Sequence, residues 1–201
     1  MKKRITVGIT GASGAVYAVR LLDVLLTMPL EIHLIVSAMG WDILRYEQEG
    51  DDETPDDFVT RKLRPKTTAG DLILHPIGDM FAPVASGSFQ ATGMVVVPCS
   101  MRTLSSIAAG HAGNLIERAA DVTLKERRPL VLVPRETPLS LIHLRNMTAA
   151  TEAGAVIMPA SPPFYHRPRE IADLVNFMAG RILDHLQLEH QLIPRWGEKH
   201  A

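Results

Sequence analysis

Only one cysteine, Cys99, occurs among the 201 residues. No intrachain disulfide can form, and the thiol content does not point to an oxidising compartment. No apolar run approaches the roughly 18 residues of a membrane span. Charge of one sign is also missing: 21 Lys+Arg stand against 22 Asp+Glu, a net of −1. That balance excludes a chain-wide basic footprint for nucleic acid and leaves room only for a local patch. Met1-Lys2-Lys3-Arg4 carries the charge of a secretory n-region, but the following stretch turns glycine-rich at Gly8 before any apolar h-region develops. A cytoplasmic protein is expected. The eight histidines show no metal-ligand spacing, so no metal is expected. Repeats, low-complexity tracts and interdomain linkers are absent, and this length suits one domain over residues 1–201, with about 187–201 as a C-terminal tail.

Short β-branched runs recur at residues 5–9, 32–36, 72–74, 94–97, 130–133 and 155–158. The last three are apolar throughout instead of alternating, as strands covered on both faces read. Between the runs lie helical stretches over 15–26, 41–49, 115–127, 139–153 and 170–186. Strand alternating with helix implies right-handed parallel crossovers and a doubly wound, mostly parallel α/β sheet. Two stretches interrupt the alternation. Residues 49–57 (EGDDETPDD) are acidic and predict a solvated loop. Residues 80–93 are rich in small residues and too long for a routine connection, a length that in compact domains accompanies function.

In an open parallel sheet, ligands bind outside the carboxyl ends of the strands. The segments that follow the strands here are small, polar or charged: Thr10-Gly11-Ala12-Ser13-Gly14, Ser37, Pro98 to Thr103, Pro134-Arg135-Glu136-Thr137-Pro138, and residues 159–168 with Tyr165 and His166. Gly8, Gly11 and Gly14 permit close backbone approach, and a helix starting near Ala15 offers free N–H groups to a phosphate. The competing reading is that these glycines serve helix–sheet packing alone. A dinucleotide site wants an acid about 20 residues on, at the end of the second strand. That strand ends in Ser37 and no acid follows until Asp42, so NAD is disfavoured against a mononucleotide phosphate or a flavin.

Ser100-Met101-Arg102-Thr103 predicts a second anion cradle at a helix beginning near Thr103, or simply N-cap residues. Arg118 and Lys125 stand two helical turns apart on one face, with Asp121 between them, so an ion-pair ladder on a solvated surface is the alternative to a site. Arg135-Glu136 lies between prolines, where a charged pair serves no packing purpose. Cys99 follows a buried-strand pattern and reads as a small core residue. His166 is the histidine that falls near these segments.

Gly8-Ile-Thr-Gly-Ala-Ser-Gly14, Ala85-Ser-Gly-Ser88, Pro98-Cys-Ser-Met-Arg-Thr103, Asn114-Leu-Ile-Glu-Arg-Ala-Ala-Asp121, Lys125-Glu-Arg-Arg-Pro-Leu-Val-Leu-Val-Pro-Arg-Glu136, Gly154-Ala-Val-Ile-Met-Pro159, Phe164-Tyr-His166 and Arg195-Trp-Gly197 occur in that order. Together they resemble the UbiX-type flavin prenyltransferases, formerly called aromatic-acid decarboxylases, over nearly the whole chain. The resemblance implies a Rossmann-like or flavodoxin-like flavoprotein fold. It also implies transfer of a dimethylallyl group from dimethylallyl monophosphate to N5 and C6 of reduced FMN without a metal. The prenylated flavin would then serve a UbiD-type decarboxylase. A homododecamer with sites at subunit interfaces is implied as well.

Carried over position by position, the resemblance places FMN contacts on Gly11, Ala12, Ser13, Ser37, Ser100, Met101, Arg102, Thr103 and Arg135. Prenyl-phosphate contacts fall on Tyr165 and Arg181, with Arg118, Lys125, Ser86, Gly87 and Ser88 nearby. Ser13, Glu47 and Glu136 resemble residues implicated in proton handling, and Lys125 joins the catalytic group as a cation for the leaving phosphate. Arg102 stands where relatives commonly carry Lys. Two other functions compete: an FMN-dependent cysteine decarboxylase, whose Pro-x-Met-Asn motif is replaced here by Pro134-Arg135-Glu136-Thr137-Pro138, and a non-enzymatic flavin-carrier subunit.

Overall fold

The structure, a computed structural model, describes residues 2–49, 53–63 and 69–193. Arg195, Trp196 and Gly197 of the resemblance therefore lie outside the described residues. Six strands, β1 (Lys3–Ile9), β2 (Leu30–Val36), β3 (Asp71–His75), β4 (Gly93–Cys99), β5 (Leu130–Pro134) and β6 (Val156–Ile157), form one sheet in the order β3-β2-β1-β4-β5-β6. Every neighbouring pair is parallel. The chain winds outward from β1 in one direction and from β4 in the other, so the reversal falls between two adjacent central strands, with Gly8 in register with Ile35 on one side and Val96 on the other.

Helices cover both faces, which is why the central strands are apolar without alternation: β4 is buried over its full length. Helices α1 (Ala15–Leu25), α2 (Ala38–Glu47), α3 (Pro55–Phe58) and α7 (Ile171–His185) pack with Val7, Ile9, Val97 and Val133 in one core. Helices α4 (Met101–Ala108), α5 (Leu115–Lys125) and α6 (Leu141–Glu152) pack with Met94, Val96 and Leu132 in the other. Cys99 is fully buried in that second core, as its pattern indicates.

Several boundaries differ from the sequence reading, each for a local reason. Helix α2 starts at Ala38 instead of 41 because the Ser37 hydroxyl accepts from Gly40 N at 3.0 Å and caps it. Helix α4 starts at Met101, ahead of Thr103, because Ser100 is the cap. Likewise α6 starts at Leu141 behind a Ser140 cap that accepts from His143 N. Strand β6 keeps only Val156–Ile157 of the expected 155–158.

The acidic stretch is not simply a solvated loop. Thr54 and Asp57 form a reciprocal capping box around Pro55, and a turn of π-helix over Val59–Leu63 follows. Phe58, Val59 and Leu63 are buried against α1 and α2, so the apolar residues after the charges decide the conformation. Residues 80–93 are also ordered, through a 3₁₀ turn at Pro83–Ala85 and the Arg128 guanidinium donating to Gly87 O at 2.9 Å.

The end of β1 meets the start of α2 so closely that a Cβ on Gly40 would lie 2.7 Å from Ile9 O. Gly40→Ala should cost about 1–3 kcal/mol, the range for overpacking, while Gly78→Ala, whose Cβ meets nothing within 4 Å, should stay within about 0.5 kcal/mol as a surface change. Thermal unfolding of the two variants side by side checks this, with a lower midpoint for the first alone.

Candidate functional site

The site begins where β1 and β4 end side by side. Thr10 is 2% exposed and its hydroxyl joins the two strand ends. Oγ1 donates to Pro98 O at 3.0 Å and accepts from Ser100 N at 2.7 Å. The Thr10 amide adds a bond to Pro98 O at 3.1 Å. The turn of residues 11–14 is thereby held against the start of α4 across the crevice that winding in opposite directions opens. Gly11 faces α2 with no room for a side chain, since a Cβ there would lie 2.5 Å from Met39 Cβ. Ser37, at the head of α2, accepts no further from the turn but donates its amide to Ile9 O at 3.0 Å, so it sits one strand over from Thr10. Gly11, Ala12, Ser13, Ser37, Ser100, Met101, Arg102 and Thr103 thus share one end of three neighbouring strands.

The head of α1 is not open to a phosphate. The Glu47 carboxylate accepts from Gly14 N at 3.0 Å and Ala15 N at 2.8 Å. Gly14 caps the helix at φ 112, a conformation that glycine allows without strain. A carboxylate at a helix N-terminus is electrostatically favoured. It fills the place that the sequence reading left for an anion and fixes Glu47 one residue from the exposed Ser13. By contrast, Ser100 and Thr103 keep their hydroxyls together, Ser100 Oγ donating to Thr103 Oγ1 at 3.1 Å, at the head of α4.

At the end of β5, Arg135 carries a buried Nε with no hydrogen-bond partner among the described residues. Burying a cationic donor unpaired is costly, and such a group is shaped for an acceptor that arrives from outside the chain. Glu136 beside it is exposed and, among the described residues, accepts only from its neighbour's amide, Thr137 N, at 3.0 Å. One strand farther, Tyr165 packs edge-on against Phe177 at 6.0 Å, and Phe177 stands one turn before Arg181 on α7. Arg181 donates to Asp184 at 2.9 Å and, with Met158, Pro159, Ser161 and Phe177, borders a cleft of about 200 Å³.

The remaining predicted residues stand elsewhere in the chain. Helix α5 starts at the carboxyl edge, where Leu115 N donates to Ile77 O, and runs to the amino edge, where Pro129 O accepts from Met94 N. Lys125 closes that helix and pairs with Glu126 instead of Asp121. It lies beside Gly87, whose Cβ would come within 2.6 Å of Nζ. Ser86 and Ser88 bridge their hydroxyls at 2.9 Å in the same loop. Arg118 donates to Ala85 O at 3.1 Å and pairs with Asp121 at 2.8 Å, so the ladder read from the sequence forms for this one pair. Within one chain the Lys125 and Ser86–Ser88 group is therefore separated from the β1–β4 crevice by the height of the sheet.

The sequence reading placed Thr10 in the polar segment after the first strand without giving it a role, and it did not name Phe177. Phe177 had only its four-residue spacing from Arg181.

A family model described as Flavoprotein matches residues 1–183. Flavin prenyltransferase UbiX of Alkalihalophilus pseudofirmus is 49% identical over 98% of this chain and 98% of its own length. The Escherichia coli K12 protein of the same name is 47% identical over 96% and 98%. The chain belongs to the UbiX family of flavin prenyltransferases. Among solved structures, AnUbiX (PadA1) in complex with FMN and dimethylallyl pyrophosphate is 45% identical, with a TM-score of 0.88 over all of both chains. A dodecameric FMN-dependent UbiX-like decarboxylase from Escherichia coli O157:H7 is 42% identical, with a TM-score of 0.85 over 97% of this chain and 100% of that one. A cysteine decarboxylase of thioviridamide biosynthesis shares the fold at 16% identity and a TM-score of 0.57. Among the described residues no cluster of His, Cys, Asp or Glu could hold a metal, and no helix is long and apolar enough to cross a membrane.

Two outcomes test the site's framework. Burial pushes the Cys99 thiol up to about 12, so it should resist a thiol reagent near pH 8 in the folded protein and react fully once urea unfolds the chain. Thr10→Val leaves Ser100 N without its acceptor and should cost about 1–3 kcal/mol, read as a lower urea midpoint.

Proposed function

We propose that this chain transfers the dimethylallyl group of dimethylallyl monophosphate to N5 and C6 of reduced FMN, releasing phosphate. The observation that carries the reading is the buried Arg135 Nε at the end of β5, next to β4, which has no partner among the described residues, in a chain belonging to this family. An unspent donor in a built crevice calls for an acceptor-rich ligand such as FMN. Gly11, Ala12, Ser13, Ser37, Ser100, Met101, Arg102, Thr103 and Arg135 would hold it, the small residues by close backbone approach and the hydroxyls and cations by hydrogen bonds. Reduced FMN supplies the electron-rich positions that accept the five-carbon unit.

The work of the chain's own residues is electrostatic. Breaking the allylic C–O bond gathers charge on the departing phosphate, and preorganised cations and hydroxyls stabilise it without a metal. Tyr165, Arg181, Arg118, Lys125 and the Ser86, Gly87 and Ser88 loop would make those contacts, with arginine suited to two-pronged phosphate binding. Glu136, exposed and among the described residues tied only to the Thr137 amide, would carry a proton to the phosphate or away from C6. Ser13 is exposed at the crevice, next to Glu47, which its two backbone donors hold fixed. Proton handling falls to these three carboxyl and hydroxyl groups.

Lys125 and Glu136 belong to opposite edges of one sheet, so a single site needs more than one copy of the chain. Exposed apolar side chains suit such contacts: Leu141 and Ile142 on α6 are 60% and 67% exposed, and Phe164 and Ile171 stand at 71% and 75%. A homododecamer with sites at subunit interfaces follows as the proposal. Residues 1–201 would act as one domain, with about 187–201 a C-terminal tail, in the cytoplasm. The product would be used by a separate UbiD-type decarboxylase.

Anaerobic incubation of the protein with reduced FMN and dimethylallyl monophosphate should raise the flavin's mass by one five-carbon unit; an unchanged mass would mean a flavin carrier. Glu136→Gln should keep FMN bound and slow the single-turnover rate at least about tenfold. Lys125→Ala should raise the demand for prenyl phosphate with FMN affinity unchanged. When the two variants are dissociated, mixed and reassembled, turnover should exceed the sum of both if each site draws Lys125 and Glu136 from different subunits.

A further inference from the structure

A buried polar chain lies under the Ser86–Ser88 loop and takes no part in the chemistry above. On β2, Glu31, His33 and Ile35 alternate onto one face of the sheet. The register sets Arg4 of β1 beside Glu31 and His75 of β3 beside Ile35. Arg4 Nε donates to Glu31 Oε1 at 2.9 Å, the same oxygen lies 2.8 Å from His33 Nε2, and His33 Nδ1 lies 2.8 Å from His75 Nε2. His33 is 2% exposed and His75 8%. The loop is seated on this chain through Phe89, whose ring meets His33 edge-on at 4.8 Å and lies under the Arg4 guanidinium at 4.9 Å. Thr92 N adds a bond to Arg4 O at 2.7 Å.

The hydrogen bonds define the protons. Ionised Glu31 only accepts, so His33 Nε2 donates to it and neutral His33 presents a bare Nδ1. His75 Nε2 must then donate to that nitrogen. With one proton on each ring the chain is satisfied from end to end. One added proton is taken up at His75 Nδ1 with the inter-ring bond kept, but a second, on His33 Nδ1, sets two N–H groups head to head between parallel cations 5.1 Å apart. Among the described residues the charged groups that face the pair are Arg4 from β1, Glu31 from β2 and Asp79 from the segment after β3, while Arg128 grips the loop backbone from beyond α5.

We propose that His33 and His75 are positioning residues for the Ser86–Ser88 loop, holding it seated while both rings are neutral and releasing it when acid protonates the pair. The proposal rests on the reading of that loop as a prenyl-phosphate contact. Burial holds both imidazoles below the usual histidine range, with Glu31 opposing this for His33 and Asp79 for His75. Their folded-state values lie below the unfolded one, so the folded chain binds fewer protons. The anchor is complete above about pH 6.5, the unfolded value, and is lost as the pH falls below it.

Hydrogen exchange over residues 86–92, corrected for intrinsic rate, tests the anchor without substrate. In the wild type it should rise about tenfold between about pH 7.5 and 5.5, one proton bound per unit drop being worth tenfold, while residues of α1 stay flat. His75→Gln keeps a donor at the Nε2 position without titrating, and should hold the change below about twofold. In parallel, the KM for dimethylallyl monophosphate should climb with acid in the wild type but not in His75→Gln, with FMN affinity unchanged in both. A flat exchange curve in the wild type, the same curve in His75→Gln, or a KM that ignores pH while the loop loosens would each overturn the proposal. Loop loosening as expected with no prenylation at any pH would support the anchor and strike the assigned reaction instead.

Discussion

The hydroxyl of Thr10 is where the architecture becomes a site. It bonds to the carbonyl of Pro98 and the amide of Ser100 at once, across the one place in the sheet where neighbouring strands lead their chains in opposite directions. Two loops that would otherwise diverge are fastened there as a pair. The packing of α2 against them is close enough that Gly11 and Gly40 have no space for a methyl group. The crevice is therefore rigid by construction, as preorganised binding requires: its hydroxyls, amides and the Arg135 donor are in place before a ligand arrives.

Glu47 illustrates how the same physics can satisfy a feature internally. A helix head with open amides attracts an anion, and here α2 delivers one from the protein itself. The anion-binding capacity of the β1 turn is spent on holding α1, α2 and Ser13 in fixed relation, and across the crevice the Thr103 hydroxyl and Arg135 Nε are donors with no acceptor among the described residues. The proposed division of labour follows: one half of the crevice positions, the other half binds.

Much of the fold was legible in the chain. Uniformly apolar runs such as Met94-Val95-Val96-Val97 could only be strands covered on both faces, and alternation with helices then implied parallel crossovers. What escaped were the helix starts and the acidic stretch. Ser37, Ser100 and Ser140 each cap a helix earlier or later than the apolar period suggests, because a cap is a hydrogen bond and not a hydrophobic pattern. Phe58, Val59 and Leu63 overrode the charges beside them by finding α1 to bury against. The segments at the strand ends were identifiable as small and polar, but the pairing of Thr10 with β4 needed two strands 88 residues apart in sequence to lie side by side. Nothing local to His33 or His75 announced that they would meet under Phe89.

The sequence by itself determined the class of fold, the burial of Cys99, and which residues stand at strand ends, since these depend on side-chain periodicity and on short-range order. The motif blocks also carried the family. Tertiary structure alone decided that Glu47 fills the head of α1, that Arg135 keeps a buried donor unused by the described residues, and that Lys125 and Glu136 fall on opposite edges of the sheet. Those are matters of strand order and of distances between residues far apart in the chain, and one-dimensional spacing holds no information about which distant partner a polar group will find.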